Sequence, residues 1–472
     1  MKKSTLFYLL IIPAFISHVF AQEVLFEKQL PTDFKVKSTY QITNLSDYEM
    51  SLFFADNKKM LATLVNSNLE EVGSFEASTF PKEYNIPFGA QKKGNNLFIF
   101  YLTNRSKDEF GVVEVDFNSN STKSEPLDLK FKKETFLQAF DHNGKVHILS
   151  IQDKSSILNF YVFDDQGGYS KKTLDLTHEK FRYWDNSLVD IYTLMSQPFG
   201  GKVEELLVKI DASTPNSLET SAAASKLFLE KDAFYLTFES NRSYSQVIQI
   251  DPEDFGYGIT TFNKPYIANA PAWKKSNSFI YKGHYLGVTA TNNILKFEIK
   301  DYNSRDVLQT YTIEKNKDID FKNTPIGVDG SLYGNNLREI ENENRFLRDV
   351  SDDEIGVSIY PANENHIVSL GSFKKVKIPI IGYAFPITEI GFLNVTGFAY
   401  FNVTNSHSTY FKSIFNQNFE HQKGNVPQNS FDKISSYLEN NKDIDSKDVF
   451  KSREETILGY ITDENVYKMV TF

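Results

Sequence analysis

Seven histidines follow the first 21 residues: His142, His147, His178, His284, His366, His407 and His421. Only His142 and His147 are close neighbours, and five residues across a turn is not a zinc-ligand spacing. With no cysteine in the chain, a lipid-anchored thiol, a disulfide framework and a thiolate metal site are all excluded. The pentapeptide Asn-Lys-Asp-Ile-Asp occurs twice, at Asn316 to Asp320 and Asn441 to Asp445, and alternating carboxylates can hold a hard cation. In a helix–loop–helix frame, Asp443, Asp445 and Glu454 take positions 1, 3 and 12. Lys447 and Asp448 then stand where an oxygen ligand and a glycine are needed. Both copies read as solvated acidic loops.

No Gly-x-Ser-x-Gly elbow marks a serine nucleophile. Asp164 with Asp165, and Asp352 with Asp353, are adjacent carboxylates. Neighbours on a strand point to opposite faces, which argues against a glycosidase pair. The Gly167-Gly168 and Gly200-Gly201 pairs lack the lysine and the strand–helix context of a phosphate loop. The densest aromatic cluster is Phe181, Tyr183 and Trp184, flanked by Arg182 and Asp185, with Trp273 further on after Pro271. Aromatic faces beside polar groups suit a sugar ring, but interior filling is the commoner use of such residues. No residue is therefore assigned to catalysis or to a metal, no cofactor is expected, and the binding residues are left open.

The elements that would position any site repeat. Period-2 apolar segments, the mark of half-buried strands, occur at Ser51 to Ala55, Leu97 to Leu102, Lys145 to Ile151, Val189 to Leu194, Ala233 to Phe238 and Tyr285 to Thr289. Their starts lie 46, 48, 44, 44 and 52 residues apart. Leu97 to Ser106 is echoed by Ala233 to Ser243, each ending in Asn-Arg-Ser, and Leu-Asp-Leu recurs at 127–129 and 174–176. The fullest unit runs Lys145 to Ile151, Leu158 to Phe163, Lys172 to Leu176, with turn residues at Asp164 to Gly168.

Several short strands in each unit of about 40–50 residues resemble the blade of a β-propeller. One small sheet has two apolar faces and cannot bury them alone, whereas a ring of blades covers both. The resemblance implies an all-β, propeller-like ring of about seven or eight blades, each of three to four short antiparallel strands. It would occupy residues 22–472, with irregular insertions at about 314–363 and 416–451 and a short helix near Phe431 to Leu438. Val24 to Leu30 and the terminal hairpin, Thr456 to Thr462 with Asn465 to Phe472, are the segments placed to close the ring. A membrane β-barrel is the main rival, although strands of 5 to 7 residues are shorter than the roughly 9–11 that span a bilayer. A row of β-sandwiches is the other.

The ends and the charge set the compartment. Lys2 and Lys3, the apolar run Leu6 to Phe15, and Val19 and Ala21 at a small-residue cleavage site form a signal peptide over residues 1–21. The expectation is export from a bacterial cell to the periplasm or the exterior. Aromatics are plentiful as 41 Phe and 25 Tyr, with only 2 Trp. The net charge of −10 becomes −12 when Lys2 and Lys3 leave, which disfavours nucleic acid and anionic membrane surfaces as partners. No transmembrane helix is expected, and the oligomeric state is open. The first functional expectation is an exported, non-catalytic binding or scaffolding protein for a protein or glycan partner. The alternatives are a hydrolase or lyase with a dispersed site in the central funnel, and the membrane barrel.

Overall fold

The computed structural model describes residues 23–43, 49–94, 96–196, 207–211, 214–271, 274–329, 338–340, 342–375, 406–452 and 455–472. The signal segment, Trp273, Gly200-Gly201 and Glu454 lie outside them. Strand β1 (Val24–Gln29) stands away from its sequence neighbours. Blade 1 is β2 (Ser38–Thr43), β3 (Met50–Ala55), β4 (Lys59–Val65) and β5 (Glu71–Ser78). Blade 2 is β6 (Ile86–Lys92), β7 (Leu97–Thr103), β8 (Glu109–Asp116) and β9 (Ser121–Lys130). Blade 3 is β10 (Glu134–His142), β11 (Lys145–Gln152), β12 (Ile157–Phe163) and β13 (Tyr169–Asp175). A separate hairpin, β14 (Phe181–Arg182) with β15 (Leu188–Val189), and helix α1 (Ile191–Met195) then intervene.

Blade 4 has five strands: β16 (Leu207–Ile210), β17 (Ser225–Leu229), β18 (Phe234–Phe238), β19 (Tyr244–Ile250) and β20 (Tyr257–Asn263), with helix α2 (Leu218–Ser221) between the first two. Blade 5 is β21 (Lys275–Tyr281), β22 (His284–Ala290), β23 (Ile294–Asp301) and β24 (Val307–Glu314). Blade 6 collects β25 (Ile326–Asp329), β26 (Arg338–Ile340), β27 (Glu354–Ala362), β28 (Asn365–Lys375), β29 (Ser406–Phe415) and β30 (His421–Gln422), with helix α3 (Glu343–Asp352) before β27. After helix α4 (Ser430–Asn440), blade 7 is β31 (Ile444–Ser452), β32 (Glu455–Thr462), β33 (Val466–Thr471) and, outermost, β1.

The burial pattern explains this order. Second strands such as β3 and β7 are buried on both faces, whereas outer strands such as β5 and β13 alternate or lie largely exposed. A strand sandwiched between two neighbouring blades reads as a continuous apolar run, and one at the rim reads as alternation. Tight turns follow their residue types. Asn143 and Gly144 both take positive φ, as the two-residue loop joining β10 to β11 requires, and Lys282 and Gly283 do the same between β21 and β22.

Apolar clusters join each blade to the next. Phe53 meets Phe98 and Phe100 across blades 1 and 2, and Tyr101 meets Phe163 across blades 2 and 3. Phe140 meets Phe234 across blades 3 and 4, and one continuous core runs through blades 4, 5 and 6. Helix α4 fills the seam between blades 6 and 7. Its Asp432 pairs with Lys412 at 3.2 Å, Ser430 donates to the Phe472 carbonyl, and Ile434 sits against Leu458 and Val470. Phe54 and Tyr467 then join blade 7 back to blade 1. Among the described residues the architecture is a seven-bladed β-propeller closed by its first and last strands.

One expectation is corrected. Val189 to Leu194 is not a blade strand: Asp190 caps a helix by accepting from the Thr193 amide, so the segment becomes the end of β15 and most of α1. The interval from β11 to β18 is thus nearly two blade lengths. The two Asn-Arg-Ser copies occupy equivalent turns, leading into the next-to-last strand of blades 2 and 4. The two irregular stretches each hold a blade's innermost strand, β27 and β31. Among the described residues no sheet exceeds six strands, so they form neither one closed barrel sheet nor paired sandwiches. No helix among them is long and apolar enough to cross a membrane.

Candidate binding site

Counting each blade's four antiparallel strands from the inside, the second-to-third turns of blades 1–5 and 7 lie at one end, together with the ends of outer strands β5, β9, β13 and β20; this end is here called the upper face. Hairpin β14–β15 leaves the outer strand of blade 3 and belongs to this face. The aromatic cluster read from the sequence divides there. Phe181 is buried beneath the hairpin, Tyr183 is half-buried with its hydroxyl donating to the Ser196 carbonyl at 2.8 Å, and Trp184 is 39% exposed at the tip.

The hairpin is pinned from several sides. The Gln246 side chain, from β19, accepts from the Arg182 amide at 2.7 Å and donates to the Arg182 carbonyl at 2.9 Å, replacing a strand neighbour. Asn241 donates to the Tyr183 carbonyl at 2.8 Å and to Asn186 Oδ1 at 3.0 Å. Asn186 takes φ 67°, which an asparagine accepts more readily than most residues. Asp185 turns inward on the loop, accepting from the Ser187 amide and hydroxyl, and these bonds hold its carboxyl below the usual range. Arg242, in the β18–β19 turn, lays its guanidinium over Trp184 at 4.8 Å from the ring centre. Tyr266, 72% exposed, and Leu188, 58% exposed, project at the same end of the ring.

Below this surface lies a buried ionic cluster. Lys264 donates to the carbonyls of Glu239 and Asn241 at 2.9 and 2.7 Å, fixing the turn that carries Arg242. Glu239 stands 3.4 Å from Lys264 and 3.9 Å from Lys226, and accepts from Ser245 and Ser278 of neighbouring strands. Burial alone would raise the Glu239 carboxyl, but the two ammonium groups and two hydroxyls hold it below its ordinary value. Burial pulls Lys226 down to about 8 against the attraction of Glu239, and lowers Lys264 as well. Lys226 also donates to Asn277 and to the Ala223 carbonyl, so this is a sealed brace between blades 4 and 5.

Towards the ring centre, β16 runs parallel to β17, and α2 seats Leu218 and Ala222 against Phe373 of blade 6. Gly356 makes this possible, since a Cβ there would stand 3.1 Å from Ser221 Oγ. Two groups on β10 and β16 titrate unusually. Burial raises Asp141 to about 7 against the Gly144 amide and Lys209, and lowers Lys209 against Asp211 and Asp141.

The remaining candidates are placed singly. His147 stacks on Phe140 at 5.1 Å, and burial lowers it to about 4. His142 packs edge-on to Phe234, His284 and His366 flank Phe419, and His421 bonds Asn323. His178 lies at the surface beside Tyr257 and Glu179. Among the described residues no three His, Asp or Glu side chains are grouped to hold a metal ion. In the first Asn-Lys-Asp-Ile-Asp copy, Asn316 exchanges hydrogen bonds with Asn344 and Ile319 is buried; in the second, Asn441 caps α4. Asp164 accepts from the Gln166 and Gly168 amides inside a turn, and Asp353 closes α3 beside Lys374. On the lower face, an open cavity of about 370 Å³ lies between the β27–β28 turn and the β30 loop, lined by Asn363, Ile367, Ile414, Gln422 and Lys423. Arg242 was missed because its partner, Trp184, is distant in sequence; the Asn-Arg-Ser echo was the available signal.

No protein-family model matches the chain, and no curated protein matches it. Solved structures that it resembles include the WD40 domain of SCAP from fission yeast, at 8% identity over 94% of each chain with TM-score 0.33. The β-propeller domain of the Trilobed protease from Pyrococcus furiosus gives 9% identity over 92% of this chain and 96% of that one, TM-score 0.30. The Dos1 propeller gives 11% identity over 93% of this chain and 77% of that one, TM-score 0.27. Likeness at this level carries no weight beside strand order and pairing, which alone define the propeller.

Proposed function

We propose that this chain is an exported, non-catalytic binding protein that uses the upper face of its ring to engage a protein or glycan partner. The observation that carries the reading is the β14–β15 hairpin. It belongs to no blade, is tied down by Gln246 and Asn241, and holds Trp184 out to solvent. An ordered, exposed tryptophan outside any core adds little to folding, and pre-organisation lowers the entropy lost on binding. The test is an array of peptides and glycans probed with the mature chain and with Trp184→Ala. Loss of captured ligands in the variant is expected; an unchanged profile refutes the site.

Export is supported by Lys2, Lys3, the apolar run to Phe15 and the small residues before Gln22. Fractionation of a bacterium expressing the precursor should place the protein outside the cytoplasm with Gln22 at its amino terminus. Cytoplasmic retention with Met1 intact overturns this.

A second reading has one observation in its favour. Asp141 on β10 and Lys209 on the neighbouring β16 shift in opposite directions, as an acid–base pair in a funnel would. Hydrolase or lyase turnover abolished by Asp141→Asn, with the fold intact, would support that reading over simple binding.

A further inference from the structure

We infer that the Trp184–Arg242 pair is a receptor for a carboxylate carried by an acidic protein segment with an apolar side chain beside it. This rests on the upper-face binding reading above.

The chemistry begins with the guanidinium. Arg242 is exposed, and among the described residues its N–H groups make no hydrogen bond or ion pair. The acid beside Trp184 in the chain, Asp185, feels the Arg242 charge but spends its hydrogen bonds on the Ser187 hydroxyl and amide. Stacking over an indole fixes the plane of the guanidinium while leaving its in-plane donors free. A planar fork of free donors matches a carboxylate bidentately. A carboxylate can come from an aspartate, a glutamate or a uronate sugar.

The neighbours favour a protein. Leu188 is opposite Arg182 in the hairpin register and 58% exposed. An exposed leucine gains by covering an aliphatic or aromatic side chain and gains little from a hydroxylated ring. Trp, Tyr and Arg are also the residue types that dominate protein–protein hot spots, and Trp184, Tyr266 and Arg242 supply one of each at this end of the ring. Arg182, exposed on the same hairpin, adds a second positive charge on a chain whose overall charge is −10. Acidic partners therefore have a local reason to choose this face.

The experiment measures fluorescence anisotropy of labelled probes against the mature chain, Arg242→Lys, Arg242→Ala and Trp184→Ala. The probes are a set of peptides alternating Asp or Glu with Leu or Phe, the same peptides with Asn and Gln, and an oligogalacturonate. Expected are binding of acidic apolar peptides, at least about tenfold weaker for their amide counterparts, and about tenfold weaker again for Arg242→Lys, which keeps the charge but loses the fork. Thermal melts of the variants should match the parent, since both side chains are at the surface. Equal peptide affinity in all variants overturns the inference while leaving a binding role on another surface. Oligogalacturonate binding in place of peptide binding also overturns it, in favour of a glycan. Failure of every probe and of the wider arrays removes the binding reading itself.

Discussion

Glu27 and Lys468, near opposite ends of the chain, face each other directly across the β1–β33 pair, with carboxylate and ammonium 3.2 Å apart. The same register places Phe26 against Met469 and Gln29 against Val466, so the first strand completes the last blade. The lysine lies under a strand that only ring closure could bring to it.

Closure should carry a measurable share of stability. Leu30 is 1% exposed and follows β1 into the blade 7–blade 1 core. Leu30→Ala is expected to lower unfolding free energy by about 2–5 kcal/mol. Denaturant melts should show the loss; a change within error would mean β1 contributes pairing but little burial.

Gly89 fixes how closely blades 2 and 3 approach. A Cβ at this position would stand 2.3 Å from Val146 Cγ1. Gly89→Ala should destabilise by about 1–3 kcal/mol through overpacking. Val146→Ala in the same chain should recover much of that, and a double-mutant cycle reads the coupling; simple additivity would contradict the contact.

Glu239 is the single anion among two buried lysines. Glu239→Gln leaves Lys226 and Lys264 without a counter-charge and should cost about 3–5 kcal/mol. Because the turn bearing Arg242 hangs from Lys264, probe binding at the upper face should weaken as well. Amide exchange of residues 239–243 would report it, and unchanged protection would separate the cluster from the surface above.

Asp448 on β31 is 2% exposed beside Gln41 of blade 1, whose amide lowers its carboxyl only in part, and neither carboxyl oxygen meets full hydrogen-bond geometry. Burial raises it to about 8, so the folded state holds a proton that the unfolded chain releases near its ordinary value of 3.8. Its contribution is therefore fully present below pH about 4 and is lost as pH rises to about 8, by up to about 1.4 kcal/mol per pH unit. Asp448→Asn should flatten stability against pH across this window and exceed the parent above pH 8. Parallel pH profiles for the two proteins would exclude a neutral carboxyl in the seam.

The blades legible in the sequence are those whose second strands are apolar on both faces, such as Leu97 to Thr103. The blade least legible was blade 7, whose inner strand contains Lys447, Asp448 and Lys451 and shows neither an apolar run nor clean alternation. An insertion of nearly one blade length before blade 4 also mimicked the period, since Val189 to Leu194 has strand-like spacing until Asp190 caps it into a helix.

From its residues alone the chain determined that it would be built of short strands in units of about 47, without thiol chemistry, because strand alternation, turn residues and composition are local properties. Tertiary structure decided the number of blades and the strand that shuts the ring. It also set Arg242 on Trp184 and left Asp448 unpaired. These are contacts between residues far apart in sequence, and only the closing of the ring gives them a distance.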